Sequence, residues 1–212
     1  MTLQQLPVVI PPEGEPPQDI GTGHPMRDVT ERVAEDAGAW TPELAEFVRG
    51  IFDEIAPRWE AQIATESDDA TADALERGGV LPEPVLELGA GTGAGTRRLH
   101  AQGYEVVAGD LSVEMLSRLD PAIASRVRLD ASRLPFPDGS VGTVVCVNML
   151  LFRQEVERVL RPDGALVWVN SIGECTPIHL GAERLAEVLG EDWSVTASRA
   201  GWGTWAVAHR QG

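Results

Sequence analysis

The chain has no lysine. All 17 of its basic residues are arginine, set against 33 acids, for a net charge of −16. Binding nucleic acid through its backbone requires Lys or Arg to neutralise phosphates, so this balance speaks against DNA or RNA as a partner. The two cysteines, Cys146 and Cys175, are too few for a disulfide framework or a zinc cluster, and no metal is expected. An apolar run of 18 residues, the length needed to cross a bilayer as a helix, is missing. The first residues lack the basic and apolar pattern of a secretory leader. The chain therefore reads as soluble and cytoplasmic, without a membrane partner. Nothing in the sequence bears on oligomeric state.

What is present is unevenly distributed. Residues 1–80 hold 17 acids and 5 arginines, residues 81–212 hold 16 and 12. Residues 1–25 contain six prolines with Gly14, Gly21 and Gly23, a composition that buries little and predicts a flexible arm. Residues 26–80 are expected to form a helical cap. Thr41-Pro42 gives it a start signal, an N-cap followed by proline at the first helical position. Leu44, Phe47, Val48, Ile51, Phe52, Ile55, Trp59 and Ile63 then recur at helical spacing, and Pro57 is expected to kink or restart the helix. An acidic stretch over 67–79 reads as a linker or surface helix. Residues 81–212 are the expected catalytic domain.

The most informative segment is Val85-Leu86-Glu87-Leu88-Gly89-Ala90-Gly91-Thr92-Gly93. An apolar run ends in a carboxylate and breaks into three glycines at alternate positions, as a buried parallel strand entering a tight turn and a helix would. Glycine serves where backbone takes φ > 0 or approaches a ligand closely. Open α/β sheets place ligands at the carboxyl ends of their strands, where Glu87 falls. A second strand ends in Asp110, 17 residues beyond Gly93, near the spacing of an acid that hydrogen-bonds ribose hydroxyls. Ser112 then reads as the N-cap of a helix containing Glu114, Met115 and Leu116. A third strand, 126–129, leads to Asp130 and Ala131. Further strands are expected at 141–147, 165–170, 193–198 and 204–209, with helices at 152–160 and 182–189. The short Gly201-Trp202-Gly203 connection forces the last two strands to pair antiparallel.

These segments, in order, resemble the class I S-adenosylmethionine-dependent methyltransferases. The glycine turn is similar to the family's motif I. "GDLSVEML" is similar to the following motif, and "LPFPDGS" and "VLRPDG" to the approaches to strands four and five. "VRGIFDEIAPRWE" resembles the entry segment of the ubiquinone/menaquinone-type branch. The resemblance implies a seven-stranded Rossmann-like α/β sheet, mostly parallel with an antiparallel final strand, and N-terminal capping helices. It implies S-adenosylmethionine as cofactor, held by Trp59, Glu87, Gly89, Ala90, Gly91, Gly93, Asp110, Leu111, Met115, Asp130, Ala131 and Asn148. Glu87 would meet the methionine end, and Asp130 and Ala131 the adenine. It implies methyl transfer to a small molecule. Two other readings stand beside it: an NAD(P)-dependent oxidoreductase on a related sheet, and a non-catalytic cofactor-binding protein of the same fold. No catalytic side chain is singled out by the pattern. Asn148 and His179 are the candidates, with Asn170, Ser171, His24 and Cys175 also at strand ends or nearby. Gly95 reads as a tolerated small residue.

Overall fold

The computed structural model describes residues 2–63 and 68–211. Its strands are β1 (Thr2–Gln5), β2 (Val85–Leu88), β3 (Val106–Asp110), β4 (Ser125–Arg128), β5 (Val141–Val147), β6 (Leu160–Asn170), β7 (Trp193–Ala200) and β8 (Gly203–Arg210). They form one sheet in the order β1-β7-β8-β6-β5-β2-β3-β4. Only β8 runs antiparallel to its neighbours. The sheet has eight strands where seven are expected, because residues 2–5 add β1 in parallel along β7.

That addition changes the reading of the N-terminal arm. Thr2 pairs with Ser194 and Gln5 with Ala197. Further along, Ile10 bridges Ala200 and the Trp202 indole donates to the Glu13 carbonyl. Proline-rich sequence lacks a core-forming pattern, but the exposed edge of β7 supplies backbone partners that composition does not reveal.

The helices are α1 (Pro25–Glu35), α2 (Pro42–Ile55), α3 (Trp59–Ile63), α4 (Asp69–Arg77), α5 (Ala94–Ala101), α6 (Val113–Arg118), α7 (Arg153–Val159) and α8 (Ala182–Leu189). Thr41 caps α2 by accepting from the Leu44 N–H, and Pro57 falls in a 3-10 turn between α2 and α3. Apolar side chains of β5 alternate between two cores. Val144 and Cys146 pack with α1, α7 and α8; Val145 and Val147 pack with α4 and α5. Period-two alternation with apolar residues on both sides is the signature of a sheet covered on both faces.

The linker expected over 67–79 begins outside the described residues, and from Asp69 onward it is a docked helix. Ala70, Ala74 and Leu75 of α4 are buried. Asp73 is buried too, and accepts from Arg77 Nε and Nη2, each at 2.6 Å, and from the Trp205 indole at 2.7 Å. The segment looked like surface because its contact residues are alanines and a carboxylate.

The site is placed by strand order. From β2 the chain winds outward through β3 and β4, then returns to put β5 on the other side of β2. The direction of winding reverses beside β2, and at such a point the loops on either side diverge to leave a crevice.

Candidate active site at the carboxyl edge of the sheet

The glycine turn leaves β2 at this crevice. Gly89, Gly91 and Gly93 all adopt positive φ, at 71°, 55° and 91°, a conformation that costs a residue with Cβ. A Cβ at Gly91 would extend into the space under the cap, 3.6 Å from the Trp59 indole nitrogen, an ordinary contact distance. Trp59 itself packs edge-on against Phe52 of α2. The cap therefore sits directly over the turn.

Asp110 ends β3 and organises the turn. One carboxylate oxygen accepts from the Gly91 N–H and the other from the Ser112 N–H, each at 2.8 Å. Burial raises its pKa, and the backbone donors at Ser112, Gly91 and Leu111 oppose that rise. The Ser112 hydroxyl caps α6 at the Met115 N–H and donates to Asp53 of α2 at 2.6 Å. Met115 is buried beneath.

Glu87 is buried, and its carboxylate turns toward α5, where the Thr96 hydroxyl donates to it. Burial pushes its pKa up to about 7; the Thr96 bond partly offsets this and nearby Asp110 adds to it. A Cβ on Gly95 would meet a Glu87 oxygen at 2.3 Å. Gly95 is thus required by the acid, and is more than a tolerated small residue.

Asp130, after β4, accepts from the Trp40 indole N–H with both oxygens at 3.2 Å and from the Ser132 N–H at 2.9 Å. Trp40 also meets Phe152 edge to face, with ring centroids 5.7 Å apart. Ala131 is buried beside Asp130. Asn148 follows β5 with φ of 50°. Its side chain donates to the Ser171 hydroxyl and accepts from the Ser171 N–H, tying the ends of β5 and β6. His179 lies beyond β6, with Nδ1 3.3 Å from Arg27 of α1. Burial, and then the Arg27 charge, lower its pKa. His24 caps α1, and Cys146 is buried with its thiol pushed up by desolvation.

The motif residues of β2, β3, β4 and β5 thus come together on one edge, with Trp59 over them and His179 one strand further out. Trp40 and Asp53 were not singled out by the sequence. Each contacts a motif acid or its cap across 59 residues or more; Asp53 lies within the entry segment "VRGIFDEIAPRWE", whereas Trp40 carries no local pattern. Among the described residues no group of three or more His, Cys, Asp or Glu is placed to hold a metal. A cleft of about 550 Å³ lies between α1, α7 and α8. It shares no residue with the glycine turn, and Arg184 and Arg153 in its lining pair with neighbouring glutamates; it is not the site.

Residues 86–168 match the model of a methyltransferase domain family. That segment carries a methyltransferase domain. An uncharacterized methyltransferase of Mycobacterium tuberculosis is 42% identical over 119 residues, 51% of this chain and 47% of that protein. The demethylmenaquinone methyltransferase of Beutenbergia cavernae is 38% identical over 138 residues, 57% of this chain and 56% of that one. The chain spans about half the length of these curated relatives. In fold, a DhpI–S-adenosylhomocysteine complex superposes with a TM-score of 0.66 at 22% identity, over 81% of this chain and 98% of that one. Within the methyltransferase domain, β8 inserted between β6 and β7 departs from the second mononucleotide half of a dehydrogenase.

Two observations fit the domain to its cofactor. The glycine turn leaves a backbone cradle that a Cβ at Gly91 would fill. Within it, the buried Thr92 hydroxyl lacks a partner among the described residues.

Proposed function

We propose that the chain is an S-adenosylmethionine-dependent methyltransferase acting on a small-molecule acceptor, with Trp40, α2 and α3 of the expected 26–80 cap covering the site while α1 and α4 pack on the faces of the sheet. The observation that carries this reading is the convergence of the glycine turn, Asp110 and Asp130 at one end of adjacent strands, under two cap tryptophans. Bound S-adenosylmethionine supplies an electrophilic methyl whose bond to sulfur breaks as the bond to the acceptor forms, leaving S-adenosylhomocysteine. The protein's part is to position and to exclude water.

Gly89, Ala90, Gly91 and Gly93 supply the backbone cradle. Asp110 and Leu111 border it, and Met115 supports it from below. Glu87 is assigned to the amino-acid end of the cofactor, and Asp130 with Ala131 to the adenine. Trp59 covers the turn. Asn148 positions: both polar atoms of its amide are engaged by Ser171, and an amide is not a base. His179 does not serve through Nδ1, which accepts from Arg27. Acceptors that need no deprotonation, or are already ionised, suit such a site.

The reading is tested by calorimetry. One equivalent of S-adenosylhomocysteine binds per chain, and NAD(H) does not bind. Asp110→Ala loses a charged group's hydrogen bonds, about 1.5–3 kcal/mol, or roughly 10- to 150-fold in affinity. Unchanged affinity in that variant removes Asp110 from the site. Small-molecule acceptance is supported by the net charge and by cap residues closing over the turn.

A further inference from the structure

A second polar cluster lies beside the motif residues, around the loop that follows β6. Asn170, the last residue of β6, holds this loop by exchanging hydrogen bonds with Leu180. The adjacent residue, His179, faces Arg27. The Arg27 guanidinium donates to the Glu174 carbonyl and contacts His179 Nδ1. Arg27 and Thr176 meet at Gly21, where a Cβ would lie 2.7 Å from an Arg27 nitrogen and 2.6 Å from the Thr176 carbonyl oxygen.

Three features of this cluster call for an anion. Arg27 forms no ion pair among the described residues, in a chain with nearly two acids for every arginine. Asp19 acts on it only at longer range, and Glu174 and Glu31 act on His179 without pairing with Arg27. Its Nε is buried without a partner, and so is the Thr176 hydroxyl, on a residue only 2% exposed. Finally, a guanidinium has donors only, so His179 Nδ1 must accept from it and the ring proton sits on Nε2. Arg27 Nε–H and the Thr176 hydroxyl are buried donors that no acceptor among the described residues answers, and His179 Nε2–H is a further donor on the same loop. A carboxylate, with two acceptor oxygens and a charge, does.

We propose that this cluster recognises a carboxylate on the methyl acceptor. The proposal rests on the methyltransferase reading and names the acceptor class for the same edge of the sheet. The overall charge of −16 does not oppose it. Repulsion from distant surface acids is screened within about 8–10 Å at physiological salt, whereas Arg27 acts at contact. Gly21 packs against the Arg27 Nη2 side of the cluster and the Thr176 carbonyl, so a carboxylate enters by displacing the segment that carries Gly21.

Benzoate and its neutral isostere benzamide are the probes, titrated into protein loaded with S-adenosylhomocysteine and followed by calorimetry and thermal shift. Benzoate is expected to bind and raise the melting temperature, and benzamide to do neither. Arg27→Gln should weaken benzoate at least about tenfold, the worth of a charged hydrogen bond. Thr176→Val, which keeps the side chain's shape, should weaken it roughly fivefold and covers the case in which Arg27→Gln does not fold. The proposal is overturned if benzoate and benzamide behave alike. It is equally overturned if Thr176→Val and a folded Arg27→Gln bind benzoate as the wild type does. Absence of binding up to about 10 mM, the weak end of single-group recognition, also overturns it. Failure of S-adenosylhomocysteine to bind would count against the methyltransferase reading instead, and the same titration on unloaded protein would then decide the cluster.

Discussion

Glu87 is a carboxylate that the fold keeps protonated well above its ordinary range. Its pKa is 4.5 in an unfolded chain and about 7 in the folded one, with burial as the main cause. Between these values the folded state holds a proton that the unfolded state releases. Stability therefore falls as pH rises from about 4.5 to 7 and levels off above, by about 3 kcal/mol for this group alone. Glu87→Gln removes the titration and keeps the Thr96 hydrogen bond within reach. Urea unfolding at pH 5 and pH 7.5 should show the wild type losing about 2.4 kcal/mol more than the variant over that interval. Equal losses would mean that Glu87 is ionised in the folded protein. Glu87 was legible in the sequence as an acid at a strand end. Its orientation toward Thr96 and its dependence on the absence of a Cβ at Gly95 were not, because both are set by how closely α5 packs on β2.

At the scale of elements, the strand and helix pattern of residues 81–212 was readable because each element is continuously apolar or capped. β5 and α8 fall where their apolar runs predict, and Ser112 caps α6 as expected. β6 begins earlier than expected, at Leu160, since Arg161-Pro162-Asp163-Gly164 reads locally as a turn while Leu160 pairs with Val141. α4 was misread for a related reason: its anchoring depends on Trp205, 132 residues away. Asp73→Ala should cost about 3 kcal/mol in urea unfolding, because it strands a partly buried guanidinium and a buried indole N–H. A loss below about 0.5 kcal/mol, the range of ordinary surface substitutions, would show that α4 is held by its apolar contacts alone.

Over the whole molecule, the uneven charge leads to a prediction about large polyanions. Residues 1–80 carry most of the net negative charge, and they include α2 and α3, where Trp59, packed on Phe52, stands over the glycine turn. A polyphosphate meets repulsion there that a small molecule escapes. Filter binding of tRNA and duplex DNA at about 50 mM salt, where phosphate-driven affinity is exaggerated, should show no micromolar complex. Micromolar binding that weakens steeply with added salt would point to nucleic-acid methylation. The described helices include none long and apolar enough to cross a membrane.

The sequence by itself determined the parallel α/β class, the position of the glycine turn and the acids that border it. Those features rest on local signals: runs of apolar residues, glycines at alternate positions, a Ser at a helix start. The antiparallel pairing of β7 and β8 was determined there too, since three residues cannot cross over a sheet. Only the tertiary structure decided that residues 2–5 extend the sheet, that Trp40 and Asp53 reach the motif acids, and that Arg27 stands with His179 and Thr176. The physical reason is range. A helix cap or a strand's alternation is written in neighbouring residues, whereas a hydrogen bond between α1 and the loop after β6 joins groups 152 positions apart, and packing alone brings them within reach.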